Sequence, residues 1–264
     1  MPLTRYQATL AKLLATNRSP DSYLAGGSAL HLEPNSSRYS NDLDYFHDSV
    51  ERVAKAFEDD QRLLTTSGYD VQIDLHQPGY IRAIVRRQEG ATKVEWAHDS
   101  AWRFMPTLFN EAVGYQLHPI DLAINKLLAL AGRDEPRDFI DVLHIHHKIL
   151  PLGALCWAAA GKDPGFTPLS LLALLRRRGK YQPEEFQRLQ LTRPIDLPAL
   201  KSDWLEALAA AEKFVRSSPP EEVGCLYFSK GVDRFVEPDL SRTDKKVIPH
   251  FGRPGGVLPK ISEN

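Results

Sequence analysis

Two short runs hold the residues best suited to chemistry. Gly26-Gly27-Ser28 follows the apolar Tyr23-Leu24-Ala25 and precedes Ala29, Leu30 and Leu32. That order reads as the end of a buried strand, a sharp turn made with little side-chain bulk, and a helix start with Ser28 as its N-cap. Backbone N–H groups converging at such a turn cradle phosphate oxygens. Fifteen residues after Gly27 comes Asp42-Leu43-Asp44-Tyr45-Phe46. Its period of two puts Asp42 and Asp44 on one strand face and Leu43 on the other. Two carboxylates on one face, close to a phosphate cradle, suit a hard divalent cation, Mg²⁺ or Mn²⁺. The polar stretch between the runs, residues 33–41, reads as a loop.

The elements that position these groups follow from periodicity. Residues 4–16 place Tyr6, Leu10, Leu13 and Leu14 on one side of a helix, broken at 17–21. Residues 47–64 form a second amphipathic helix, capped by Asp48 or Ser49. Its stripe is Val50, Val53, Ala54, Phe57 and Leu64. Residues 69–75, 80–87 and 92–97 are strand-like runs separated by Pro78-Gly79 and Gly90 turns. Within this meander Asp74 and Glu95 are each acidic and flanked by apolar neighbours, so either can supply a third carboxylate. Residues 98–114, with Pro106, are less regular and read as a link. The expected class is α+β: an N-terminal mixed sheet with flanking helices, then a mostly helical C-terminal half.

The second half opens with Pro119 at a helix start and Gly132 near its end. Lys126 falls among Leu122, Leu127, Leu128 and Leu130, and a lysine so placed needs an anionic partner. Pro136 opens a following helix on which Asp138 and Asp141 lie one turn apart. The partner of Lys126 is therefore this carboxylate pair, a phosphate, or both in turn. His144 and His147 are three apart, but no carboxylate or cysteine stands at convincing ligand spacing, so they read as helix-face or core residues. Helices are expected at 152–160, 169–178, 184–191 and 200–215. Arg176-Arg177-Arg178-Gly179-Lys180 reads as a solvated helix end or, alternatively, as a contact for acceptor RNA or phosphate, Leu226-Tyr227-Phe228 as an apolar anchor, and 241–264 as an extended or disordered tail. The expected organisation is a core over 1–115, a helical domain over 116–240 that completes the site, and the tail.

Composition narrows the class. The 264 residues are 42% hydrophobic and 25% charged, as in ordinary globular proteins. A net charge of -1 gives no global signal for nucleic acid. Cys156 and Cys225, far apart in apolar settings, read as free thiols in a reducing compartment. The amphipathic N-terminus does not read as a signal peptide, and no apolar run reaches the roughly 18 residues a membrane span needs. The expected location is cytoplasmic, without membrane contact.

The segment GGSALHL…RYSNDLDYF resembles the signature of polymerase-β-like nucleotidyltransferases. Its detailed form, GGSAL followed by Arg38-x-Ser40-x-Asp42-x-Asp44, is similar to the AbiEii-type nucleotidyltransferase toxins. The later DLAINKLLAL…R…RDFIDV resembles the same family, so the likeness covers about Tyr23 to Leu143. It implies an enzyme that moves a nucleotide from a nucleoside triphosphate to an acceptor hydroxyl. The triphosphate would lie over Gly26, Gly27 and Ser28, with Ser28 and Ser40 donating to its oxygens. Asp42 and Asp44 would hold the metal, and a third carboxylate would complete a second metal position. The family draws that carboxylate from the last strand before the helical half, which favours Glu95 over Asp74. Arg38, Lys126 and Arg133 would offset triphosphate charge, and Asp138 or Asp141 would orient Lys126 or the acceptor. The family further implies tRNA as acceptor and a cognate antitoxin partner, in a toxin–antitoxin or phage-defence system. Two other readings are a nucleotide-binding module without transfer and a small-molecule nucleotidyltransferase of the antibiotic-modifying kind.

Overall fold

The computed structural model describes residues 3–32, 38–239 and 245–260. The chain divides into two compact units. The first holds residues 1–118 with 190–192 and 254–256; the second holds the remainder from 119 onward.

In the first unit, α1 (Arg5–Leu14) starts at a capping box in which Thr4 accepts from the Gln7 amide and Gln7 accepts from the Thr4 amide. After β1 (Ser22–Ala25) come α2 (Gly26–Leu30), β2 (Asp42–His47) and α3 (Val50–Thr66). Ser49, rather than Asp48, caps α3 by accepting from the Arg52 amide. The meander is β3 (Asp70–Gln77), β4 (Tyr80–Arg87) and β5 (Gly90–His98). The stretch expected to be a plain link instead carries the two-residue β6 (Trp102–Arg103) and β7 (Leu108–Asn110) and runs into β8 (Gly114–Gln116). Two of these extend the sheet, whose order is β3-β4-β5-β2-β1-β8-β7. β2 pairs in parallel with β5 and antiparallel with β1, and β8 joins β1 in parallel. The sheet is therefore mixed.

Alternation decides which face is buried. Leu43 and Tyr45 of β2 and Val94 and Trp96 of β5 are fully buried. Phe57 of α3 meets Trp96 edge to face at 5.1 Å. Beneath them Trp96 Nε1 donates to Asp60 Oδ2 at 2.7 Å, and Asp60 also takes two hydrogen bonds from Arg18. The Asp60 carboxylate is thus paired and hydrogen-bonded, the condition under which a charge survives in a core, while the Arg18 guanidinium, whose Nη1 makes no hydrogen bond, lies over the Tyr45 ring at 4.4 Å. With the apolar residues committed here, Asp42, Asp44, Lys93 and Glu95 fall on the opposite face.

In the second unit α4 (Pro119–Arg133) and α5 (Pro136–Lys148) lead into α6 (Leu152–Lys162), α7 (Pro168–Leu175), the four-residue α8 (Pro183–Phe186) and the long α9 (Leu197–Ser217). A longer helix was expected over 184–191. It stops because the backbone is used differently there: the Gln190 carbonyl accepts from the Tyr39 amide at 2.9 Å, and Leu191 bridges Arg38. Strands β9 (Leu226–Ser229), β10 (Arg234–Val236) and β11 (Val247–His250) form a small antiparallel sheet with β9 central. Thus part of the expected tail is an ordered strand. Pairing with the apolar Leu226-Tyr227-Phe228 supplies what its own sequence lacks.

Candidate active site

Register brings the two chemical runs together. Ala25 of β1 is the partner of Asp44 on β2, so the glycine turn that follows β1 lies against the Asp44 carboxylate. Gly26 has φ +60°, and a Cβ there would come within 2.0 Å of Asp44 Oδ2. Only glycine meets both the backbone and the space requirement. A Cβ on Gly27 would stand 3.0 Å from Arg38 Nη2 and 3.2 Å from Ser40 Oγ. The bare backbone thus allows a guanidinium and a hydroxyl to reach the turn.

Ser28 is not the helix cap. α2 begins at Gly26 after Ala25, with no side-chain cap. Ser28 Oγ donates to the Ala25 carbonyl at 3.0 Å and accepts from the Asp44 amide at 3.3 Å, which ties the turn to β2. With five residues, α2 has a weak dipole, so the positive charge at the turn comes chiefly from Arg38. Ser40 Oγ lies 3.1 Å from both the Asp42 carbonyl and Asp42 Oδ1, fixing the first carboxylate.

The parallel β2–β5 ladder sets Asp44 opposite Glu95 and Asp42 opposite Lys93. Lys93 Nζ lies 3.0 Å from Asp42 Oδ2 and 2.8 Å from Glu95 Oε1. Burial alone would lower the Lys93 ammonium, but its bonds to Glu95 and Asp42 and their charges hold it above the usual lysine range. Sequence reading passed over Lys93. The signal was the alternation Lys93-Val94-Glu95, which puts the lysine on the same face as the glutamate. Asp74, the other candidate for a third carboxylate, is not brought here. It lies on the edge strand β3, beyond β4 and β5, where a register irregularity between Ile73 and Leu75 turns it to Arg82 Nε at 2.7 Å.

A second charged cluster lies within the helical unit. Lys126 Nζ is 3.2 Å from Asp138 Oδ1 and 2.8 Å from Asp141 Oδ2. Arg133 grips Asp138 through Nε at 2.6 Å and Nη2 at 3.0 Å. Burial pushes the Asp138 carboxyl up, yet the Arg133 bond and the Lys126 and Arg133 charges outweigh it and hold it below the usual range. The carboxylate pair is thus the partner of Lys126 in this structure.

His146, His147 and Asp203 also lie together. His147 Nε2 is 2.7 Å from Asp203 Oδ2, whereas His146 Nδ1 accepts from the Leu152 amide at 3.0 Å. A neutral imidazole that accepts through Nδ1 carries its proton on Nε2, leaving no lone pair for a metal. Arg176 pairs with Glu212 and Arg178 with Asp134, so the basic run at this helix end is largely used internally. Cys156 and Cys225 are buried free thiols, both pushed up by burial, Cys225 to about 12. No helix among the described residues is long and apolar enough to cross a membrane.

A search across protein families matches residues 9–236 to the family described as nucleotidyl transferase AbiEii toxin, type IV toxin–antitoxin system. The chain belongs to this AbiEii family. It is a nucleotidyltransferase. The AbiEii match spans both units and includes every residue singled out from Gly26 to Asp141. No curated protein matches the sequence. Among solved structures, MenT4, a nucleotidyltransferase toxin from Mycobacterium tuberculosis H37Rv, is similar at 19% identity with a TM-score of 0.55, over 82% of this chain and 83% of that one. JHP933 from Helicobacter pylori is similar at 18% identity with a TM-score of 0.46, over 80% of this chain and 91% of its own. The MenT4 likeness shows a shared fold.

Proposed function

We propose that this AbiEii-family enzyme moves a nucleotide from a nucleoside triphosphate to an acceptor hydroxyl with a divalent cation held by Asp42 and Asp44. One observation carries the reading: register places the glycine turn, both aspartates and Glu95 on one patch of one sheet. The donor set fits a hard cation, because it is all carboxylate oxygen and already draws the Lys93 ammonium to within 3.0 Å. When bound, such an ion would offset triphosphate charge and lower the pKa of the attacking hydroxyl.

The protein groups divide the remaining work. The backbone at Gly26 and Gly27 gives phosphate oxygens close approach, with Arg38 as counter-charge and Ser28 and Ser40 holding the turn and Asp42 in place. Glu95 stands beside Asp44 as a further ligand or as the base that takes the acceptor's proton. Within the helical unit, Lys126 is held by Asp138 and Asp141, with Arg133 as a further cation on Asp138. Family membership supports a toxin role with tRNA as acceptor, a cognate antitoxin as partner and the cytoplasm as the setting.

The test is incubation of the purified chain with each labelled nucleoside triphosphate, Mg²⁺ or Mn²⁺, and tRNA, protein or small-molecule acceptors in separate arms. Label on tRNA, lost in Asp42→Ala and on chelation, is the expected result. Label moved equally well by Asp42→Ala and Asp44→Ala would remove the mechanism. Label only on protein or small molecules would remove the tRNA assignment.

A further inference from the structure

Lys93 does not fit a site built for two metal ions. It is the register partner of Asp42, it shares a face with Glu95, and its ammonium lies within 3.0 Å of both carboxylates. A divalent ion bridging Asp42 and Glu95 would stand beside the Lys93 ammonium and compete with it for both carboxylates, against like charge at contact distance. Lys93 reaches Asp42 through Oδ2, while Asp42 Oδ1 takes the Ser40 hydroxyl.

We propose that Lys93 is a built-in cation standing in place of a second metal, so that the site takes a single divalent ion on Asp42 and Asp44. This rests on the metal-dependent reading above and revises one part of it. Glu95 is then a partner of Lys93 rather than a metal ligand. Lys93 acts as a positioning residue that fixes Glu95 and sets the number of ions.

Counting ions tests this apart from activity. The full chain, with a non-hydrolysable nucleoside triphosphate analogue, is titrated with Mn²⁺ and free ion is read by electron paramagnetic resonance. The wild type should bind one ion per chain. Lys93→Met should bind two over the same range, and Lys93→Arg one. Thermal melting checks that each variant is folded, and Lys93→Gln carries the same expectation should Lys93→Met fail to fold. Two ions on the wild type, both lost in Asp42→Asn, would overturn the role of Lys93 and keep the metal-dependent reading. One ion on both Lys93→Met and Lys93→Gln would do the same. No ion on the wild type, or an ion unaffected by Asp42→Asn and Asp44→Asn, would overturn both.

Discussion

Each unit contains a lysine that bridges two carboxylates; the two settings differ in exposure, and in the second Arg133 adds a further cation on Asp138. The Lys93 side chain is 32% exposed, with Asp42 at 10% and Glu95 at 19%. Lys126 is 7% exposed, and both of its aspartates are fully buried. Water at the rim of the first cluster lets a carboxylate trade partners at modest cost, since a departing ion is resolvated. In the second cluster a departing partner leaves a bare charge in a dry interior. The same three charges therefore make an exchangeable site on a sheet face and a clamp between helices α4 and α5.

The largest effect expected is on transfer. Asp42→Ala or Asp44→Ala should lower it by roughly a thousandfold or more, the loss of several kcal/mol of charge stabilisation. Melting temperature should move less than in Lys126→Ala, because the Lys93 ammonium that Asp42 leaves is 32% exposed and water can take up its charge. A matching collapse of stability would erase the contrast between the clusters.

Lys126→Ala should do the reverse. Removing the Lys126 ammonium from Asp141, and leaving Asp138 to Arg133, should cost about 3–5 kcal/mol, read from chemical denaturation. A variant that keeps full stability and loses only transfer would turn the clamp into a ligand site and break the comparison from the other side.

Gly26→Ala should cost about 2 kcal/mol, since φ +60° strains a side chain and the new Cβ meets Asp44. The accompanying loss of transfer should exceed that expected from stability alone, as Asp44 must move.

Acid and alkali should separate the clusters with the smallest change. Asp138 is held below the ordinary carboxylate value of about 3.9, so its contribution is full above that pH and is lost as pH falls through its lower folded value. Lys93 is held above the ordinary lysine value of about 10.4. Its contribution is full below that pH and is lost as pH rises through its higher folded value. Melting curves against pH should lose their acid limb of about 1.4 kcal/mol per pH unit in Asp138→Asn, and part of their alkaline limb in Lys93→Met.

Where periodicity is strong, the chain reads plainly. The helices at 5–14 and 50–66 and all three meander strands follow from apolar spacing alone. The short strands β7 and β8 do not, because three residues cannot show a period, and their existence depends on a free edge at β1 that only the assembled sheet provides. Strand β11 is hidden for the same reason: its partner β9 is about twenty residues away in sequence. In the site, the spacing of Gly26, Asp42 and Asp44 is legible because a turn and one strand are local. Which meander residue joins them is not, since Asp74 and Glu95 have the same local pattern and only strand order separates them. Ser28 departs from the capping role expected of it for a physical reason: a serine two residues into a short helix also bonds backward to the strand that precedes it.

The parallel pairing of β2 with β5 makes the candidate site a seam. One side is the β1–β2 pair with its glycine turn; the other is the β3–β4–β5 meander, which folds on itself through two tight turns. Residues 48–89 lie between the two strands of the seam, so its closure is non-local and bears the entropy of joining distant segments. A nascent chain that has reached His47 holds both aspartates and the turn but neither Lys93 nor Glu95. For a member of a toxin family this amounts to a timer: the candidate site is incomplete until the meander docks. Parallel ladders are slightly weaker per residue than antiparallel ones. Amide exchange across β2 and β5 should therefore report this docking step, and a single opening there would disarm the site without unfolding either half.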